Sequence, residues 1–379
     1  MKNIKFIFIS SLFIFFTACH KPKEKFTITA NLSGFPENSK VIISNGTTGK
    51  VLDSTKLVEN KFVSTGFIEN PPIPISIIIN PDNNETAYSF IFIGNENVKI
   101  SGNKDDFPDD LSVIGSKHQE FKTKLDNKVG PLNKERNQKI QKMFSLRQEG
   151  KWNDSLQNAY WSKEDGMITK IDSQTTQLTK DFIADNINSD YALSQLVIYK
   201  TDFSISFIKE QLSNLSPNYK NSKYAQVLKT FIENEPLDKG NKFYDFTAEN
   251  QNGQSVKFSN FFKDKYVLLE FHSPYCSWSG KALSEIKMLS EQMSDSLKIV
   301  TFSVDENKED WLKEYKTNQV SWTSLYNENG RYSDVYTKYQ VFATPTYYLF
   351  EENGTVVEKW DGYNENLIEQ IKERIKNGG

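Results

Sequence analysis

The chain has 379 residues, enough for two or three domains with separate cores. Lys and Arg number 46 against 49 Asp and Glu, a formal net charge of -3; with no basic excess to release counterions from a phosphate backbone, nucleic acid is excluded as an expected partner. The two cysteines and the three histidines (His20, His118 and His272) form no cluster at ligand spacing, so the sequence predicts no structural zinc, and no other metal or cofactor is expected.

Residues 1–19, MKNIKFIFISSLFIFFTAC, place Lys2 and Lys5 ahead of an apolar run from Phe6 to Phe16, followed by the small residues Thr17 and Ala18 and then Cys19. A charged start, a run too short to span a bilayer comfortably and small residues at a cleavage point describe an export signal. With a cysteine directly after them, the segment resembles a bacterial lipoprotein signal, which implies that Cys19 becomes the lipidated first residue. Residues 20–25 then read as a polar stalk, and the expected location is the cell envelope, lipid-anchored and facing the periplasm. Cys276 is left as the one thiol in an oxidising compartment, without a partner for an internal disulfide.

Between residues 26 and 116, short β-prone runs alternate with turn clusters: 26–32, 40–44, 61–68, 74–80, 88–93 and 97–102. Phe26, Ile28, Ala30 and Leu32 repeat with period two, as in a half-buried strand. This segment predicts a small antiparallel β domain, sandwich-like, with no catalytic constellation. From Lys117 the pattern becomes helical, as in the recurrence of Ile171, Thr175, Leu178 and Phe182. The helical segment and linker, 117–240, are expected to break near Gly130 and Pro131 and again at 215–222. No internal repeat of fixed period is present.

After Pro236 and Gly240, strands and helices interleave over 241–379: strands at 265–271, 297–304, 346–350 and 356–360, helices at 279–293, 308–316, 331–339 and 364–376. That order predicts an α/β sheet covered on both faces, and the whole chain is therefore a multidomain protein: an all-β domain, a helical middle and an α/β domain. Cys276 falls where the strand KYVLLEF gives way to a helix, and the free N–H groups of a helix start, with the macrodipole behind them, favour thiolate over thiol.

FYDFTAENQNGQSVKFSNFFKDKYVLLEFHSPYCSWS, IVTFSVDENKE and FATPTYYLF resemble the thioredoxin fold, specifically its extracytoplasmic TlpA/ResA branch. The segments ahead resemble the N-terminal region that often precedes such domains in lipoproteins of Bacteroidetes-type bacteria. The resemblance implies that Cys276 is the attacking thiol and that Thr344-Pro345 carries the cis-proline beside it, with Tyr275 and Trp278 flanking the substrate groove. It also implies that Glu270 is the buried carboxylate used for proton transfer.

Two positions depart from the family. Ser279 stands where the resolving cysteine belongs, and Ala282 where the ResA branch has an acid. Ser279 cannot release a mixed disulfide, so a two-electron dithiol cycle is excluded. Three readings remain: monothiol exchange, with Ser279 hydrogen-bonded to the sulfur and an external thiol resolving the adduct; a redox-silent module binding peptides beside Pro345; and a one-cysteine peroxidase. For the last, Ser273 fits the peroxiredoxin pattern and Leu269 replaces its proline. Expected partners are envelope proteins bearing thiols or disulfides, and a low-molecular-weight thiol. His272 is read as a satisfied histidine on the same face as Glu270, Trp278 as a surface aromatic, and the alternative for Glu270 is a partnered polar group at the sheet edge.

Overall fold

The computed structural model describes residues 24–80 and 86–378. The export segment, Cys19 and residues 20–23 of the stalk lie outside the described residues. The N-terminal domain contains β1 (Phe26–Ser33), β2 (Lys40–Asn45), β3 (Val51–Lys56), β4 (Lys61–Gly66), β5 (Ile73–Ile79), β6 (Ala87–Ile93), β7 (Asn97–Asn103) and β8 (Ser112–Ile114). They form two four-stranded sheets, β4-β1-β7-β8 and β3-β2-β5-β6. The period-two residues of β1 all face inward, meeting Val41, Ile43, Ile75 and Ile77 of the other sheet in one apolar core.

Two expectations need correction here. The domain is not purely antiparallel, because β1 runs parallel to β7; between them the chain builds the second sheet and places β4 on the other side of β1. Strands β3 and β8 were not expected. VLDSTK has no inward apolar alternation, since every β3 residue is exposed or half-buried, and β8 is only three residues long.

The helical middle comprises α1 (Lys117–Gln148), α2 (Asp154–Trp161), α3 (Met167–Asn186), α4 (Asp190–Ile198), α5 (Ile205–Ser213) and α6 (Lys223–Glu233). Ser116, Asn153, Ser189, Ser204 and Ser222 each cap a helix by accepting a backbone N–H. The predicted break at Gly130 and Pro131 does not occur, and α1 continues through Pro131. Pro131 and Asn127 are both exposed, so the carbonyl that loses its helical donor belongs to a residue on the solvent side, while Leu125 and Val129 hold the buried side. The break at 215–222 is present, between α5 and α6. Phe92 joins this helical core, packing 5.1 Å from Tyr191, and its N–H donates to the Gln119 side chain at 2.8 Å.

The C-terminal domain contains β9 (Thr247–Asn250), β10 (Ser255–Lys257), β11 (Tyr266–His272), α7 (Ser277–Gln292), β12 (Leu297–Ser303), α8 (Lys308–Thr317), β13 (Thr323–Tyr326), α9 (Asp334–Lys338), β14 (Thr346–Phe350), β15 (Val356–Asp361) and α10 (Leu367–Lys376). The sheet order is β10-β9-β13-β12-β11-β14-β15, with β11, β12 and β13 parallel and β14 antiparallel to β11. The central strand β11 sends Val267, Leu269 and Phe271 into one core and Leu268 into the other. A strand covered on both faces buries apolar residues in both directions, which is why the run Val267 to Leu269 lacks alternation. This is the thioredoxin-like α/β architecture, and it delivers the end of β11 to the start of α7.

Candidate active site

Beyond β11 the backbone turns tightly. The Cys276 N–H donates to the Ser273 carbonyl at 3.1 Å, and the Cys276 carbonyl accepts the first helical bond from Gly280 at 3.0 Å. Cys276 is thus the N-cap residue of α7, in extended conformation. The sulfur completes no full capping bond, yet it is half-buried among polar groups. Burial pushes the thiol up, and this is outweighed by the Ser279 N–H, the Thr344 hydroxyl, the Ser279 hydroxyl and the Trp278 N–H, which together hold it below its ordinary value. Thr344 acts in both directions, because its carbonyl accepts from the thiol at 3.1 Å and so favours the protonated form.

The Thr344-Pro345 peptide is cis, as the family resemblance implies. Ser279 is fully buried on the first turn of α7, and its oxygen also accepts from the Ser273 N–H at 3.5 Å, tying the loop to the helix. Trp278 is 55% exposed and stacks on Tyr363 at 5.7 Å, with the Lys281 ammonium over both rings. Phe342, two residues before Thr344, is 54% exposed. Phe342 and Tyr363 are site neighbours the sequence reading did not single out; for Phe342 the aromatic just before the Thr-Pro pair was the available signal.

Two residues go elsewhere. Glu270 is 1% exposed on the central strand, not at a sheet edge, and its carboxylate accepts from Thr301 at 3.2 Å and Tyr347 at 3.4 Å. His272, on the same face, places Nδ1 3.5 Å from Glu270 and Nε2 2.8 Å from Glu314. Burial works against the imidazolium, but the two carboxylates outweigh it and raise His272 to about 10. The partners of Glu270 are thus Thr301, Tyr347 and His272, and Cys276 is not among them.

Tyr275, expected along the substrate groove, hydrogen-bonds Asp310 instead. Burial, with Asp305, Asp310 and Glu69 nearby, keeps its phenol protonated well above the ordinary value. It therefore faces the seam between the C-terminal and β domains. A cavity of about 210 Å³ lies in that seam, lined by Lys50, Leu52, Phe67, Glu69, Asp305 and Asn307 among others. Asp305 is buried; one carboxylate oxygen accepts from the Asn307 N–H at 3.0 Å and the other has no partner. Burial is the main cause that pushes it up to about 6, with Asp310 adding to the shift and Lys50 opposing it.

Residues 239–359 match the AhpC/TSA family, and residues 26–121 match DUF4369, a domain of unknown function. Among solved structures, the chain is similar to the thioredoxin domain of a thiol-disulfide oxidoreductase from Bacteroides vulgatus, at 24% identity over 37% of this chain and 99% of that one, TM-score 0.34. It is also similar to a thiol-disulfide oxidoreductase from Bacteroides fragilis, at 24% identity over 35% and 98%, TM-score 0.33. A thiol:disulfide interchange protein from a Bacteroides species matches at 25% identity over 37% and 91%, TM-score 0.34. No curated protein matches the chain. With the sheet order and the strand-cysteine-helix junction already described, the C-terminal part is a thioredoxin-like α/β domain that matches the AhpC/TSA family model, joined through helices to an N-terminal β domain that matches DUF4369.

Proposed function

We propose that the protein is a monothiol exchange catalyst of the cell envelope, held to a membrane through Cys19. The Cys276 thiolate attacks one sulfur of a disulfide; a new S–S bond forms, the old one breaks, and the leaving thiolate takes a proton from solvent. An external thiol then attacks the mixed disulfide and regenerates Cys276, so each cycle exchanges partners without net uptake of electrons. Its substrates would be envelope proteins bearing thiols or disulfides, with a low-molecular-weight thiol as resolving agent.

The observation that carries this reading is the sulfur itself. It is partly accessible, sits at a helix start, and is held below its ordinary pKa beside Pro345; it is also the one free cysteine among the described residues. Ser279 occupies the resolving position with a hydroxyl, which supports the anion and forms no disulfide. The test is incubation with glutathione disulfide. One glutathione per chain, lost in Cys276→Ser, is the expected outcome; an unreactive Cys276 would sink the reading in favour of redox-silent peptide binding beside Pro345. Ser279→Cys is expected to create a reducible disulfide and insulin-reducing activity.

A further inference from the structure

The β2–β3 turn, residues 45–50, is stiffened from within. Asn45 Oδ1 accepts from the N–H groups of Thr47 at 2.8 Å and Thr48 at 3.1 Å, and the Lys50 N–H donates to the Thr48 hydroxyl at 3.3 Å. The turn projects from the β domain onto three parts of the C-terminal domain. Gly49, at φ +82, lies against Tyr275, so close that a methyl there would sit 3.6 Å from the Tyr275 carbonyl oxygen. Thr47 shares a hydrogen bond with the Tyr332 phenol. The Lys50 ammonium pairs with Asp310 on α8, the same carboxylate that hydrogen-bonds Tyr275. Alongside, Asn70 donates to Glu306 at 3.0 Å and Asn307 to Glu69 at 2.7 Å. A rigid piece of the N-terminal domain is thereby fixed to the residue directly preceding the nucleophile. Trp278 and Phe342 stand more than half exposed.

From this placement we infer that residues 45–50 form one wall of the Cys276 site, latched by Lys50 on Asp310, which admits low-molecular-weight disulfides and extended polypeptide strands and turns away disulfides set in a folded surface. An extended chain pairing beside the Thr344-Pro345 segment needs a slot only about 5 Å wide. A globular surface brought to the same sulfur meets the turn first. The inference rests on the monothiol reading for its reacting group, but the wall is a matter of access and is tested separately.

The experiment uses the full chain in mild detergent. Cys276 is alkylated with iodoacetamide and, in parallel, with a small folded protein that carries a maleimide on a short linker. The ratio of bulky to small reagent rates is expected to rise about fivefold in Lys50→Ala, the order of one partly exposed ion pair, and to return in Lys50→Arg. Asp310→Asn removes the latch from the other side and should move the ratio the same way. Raised salt on the wild type, which screens the pair, covers the case of a variant that does not fold. A ratio unmoved by all of these overturns the wall. Glutathione disulfide keeps the two ideas apart: if it leaves the wild type unmodified while the ratio still shifts, the monothiol reading fails and the wall stands.

Discussion

Glu270 and Cys276 are six residues apart on one strand-to-helix segment, and the fold treats their charges in opposite ways. Glu270 lies in the middle of the sheet, with two hydroxyl donors and an imidazolium around it. Cys276 lies at the sheet's end, and its anion is supported by backbone N–H groups and hydroxyls alone. A buried charge with full partners is a structural clamp, because removing any partner leaves another uncompensated. A half-exposed anion at a helix start can lose and regain its proton without disturbing the core, which is what a nucleophile needs.

Glu270→Gln tests that division most severely. It should destabilise the domain by about 3 kcal/mol, read from denaturant unfolding, because His272 keeps only one of its two carboxylates. The pH midpoint of Cys276 alkylation should stay in place; a displaced midpoint would show that Glu270 serves the thiol after all. The clamp also has a pH signature. His272 is raised from 6.5 to about 10, so the folded state binds its proton more tightly, and this stability is fully present below 6.5 and disappears as pH rises through about 10. Unfolding midpoints should fall across that window in the wild type and fall less in Glu270→Gln.

Asp305 gives a second contrast, a buried carboxylate with one oxygen satisfied and one not. Its folded-state value is raised from 3.8 to about 6, so stability falls as pH rises between those values and the full cost remains above them. Asp305→Asn keeps the acceptor for Asn307 and removes the charge. At neutral pH it should stabilise the protein by about 1 to 2 kcal/mol, discounted for solvent screening. The gain should vanish below pH 3.8; a gain independent of pH would place its origin in packing.

What could be read in the sequence depended on how local its cause is. The junction at Cys276 was legible because a long apolar strand, a thiol and a helix follow one another. That Glu270 and His272 share a face followed from strand alternation; that they pair with each other was not read from the sequence. Strands β9, β10 and β13 were not expected, since three or four residues carry no period. The passage of α1 through Pro131 was hidden because it depends on which side of the helix faces water. The place of residues 45–50 against Tyr275 and α8 was the least legible, because Lys50 and Asp310 are 260 positions apart and neither residue type announces the other.

The smallest expected effect separates the two supports of the thiolate. Ser279→Ala removes the hydroxyl but keeps the backbone N–H, which is first among the groups favouring the anion. The site is fully buried, so the methyl takes the hydroxyl's place without new exposure. Losing one of the hydrogen bonds that favour the anion should move the thiol's titration midpoint upward. Alkylation below the midpoint should then slow, while the rate at alkaline pH, where all the thiol is ionised, stays as in the wild type. A midpoint that does not move would mean that the helix start alone activates Cys276, and that Ser279 matters only for the disulfide it cannot form.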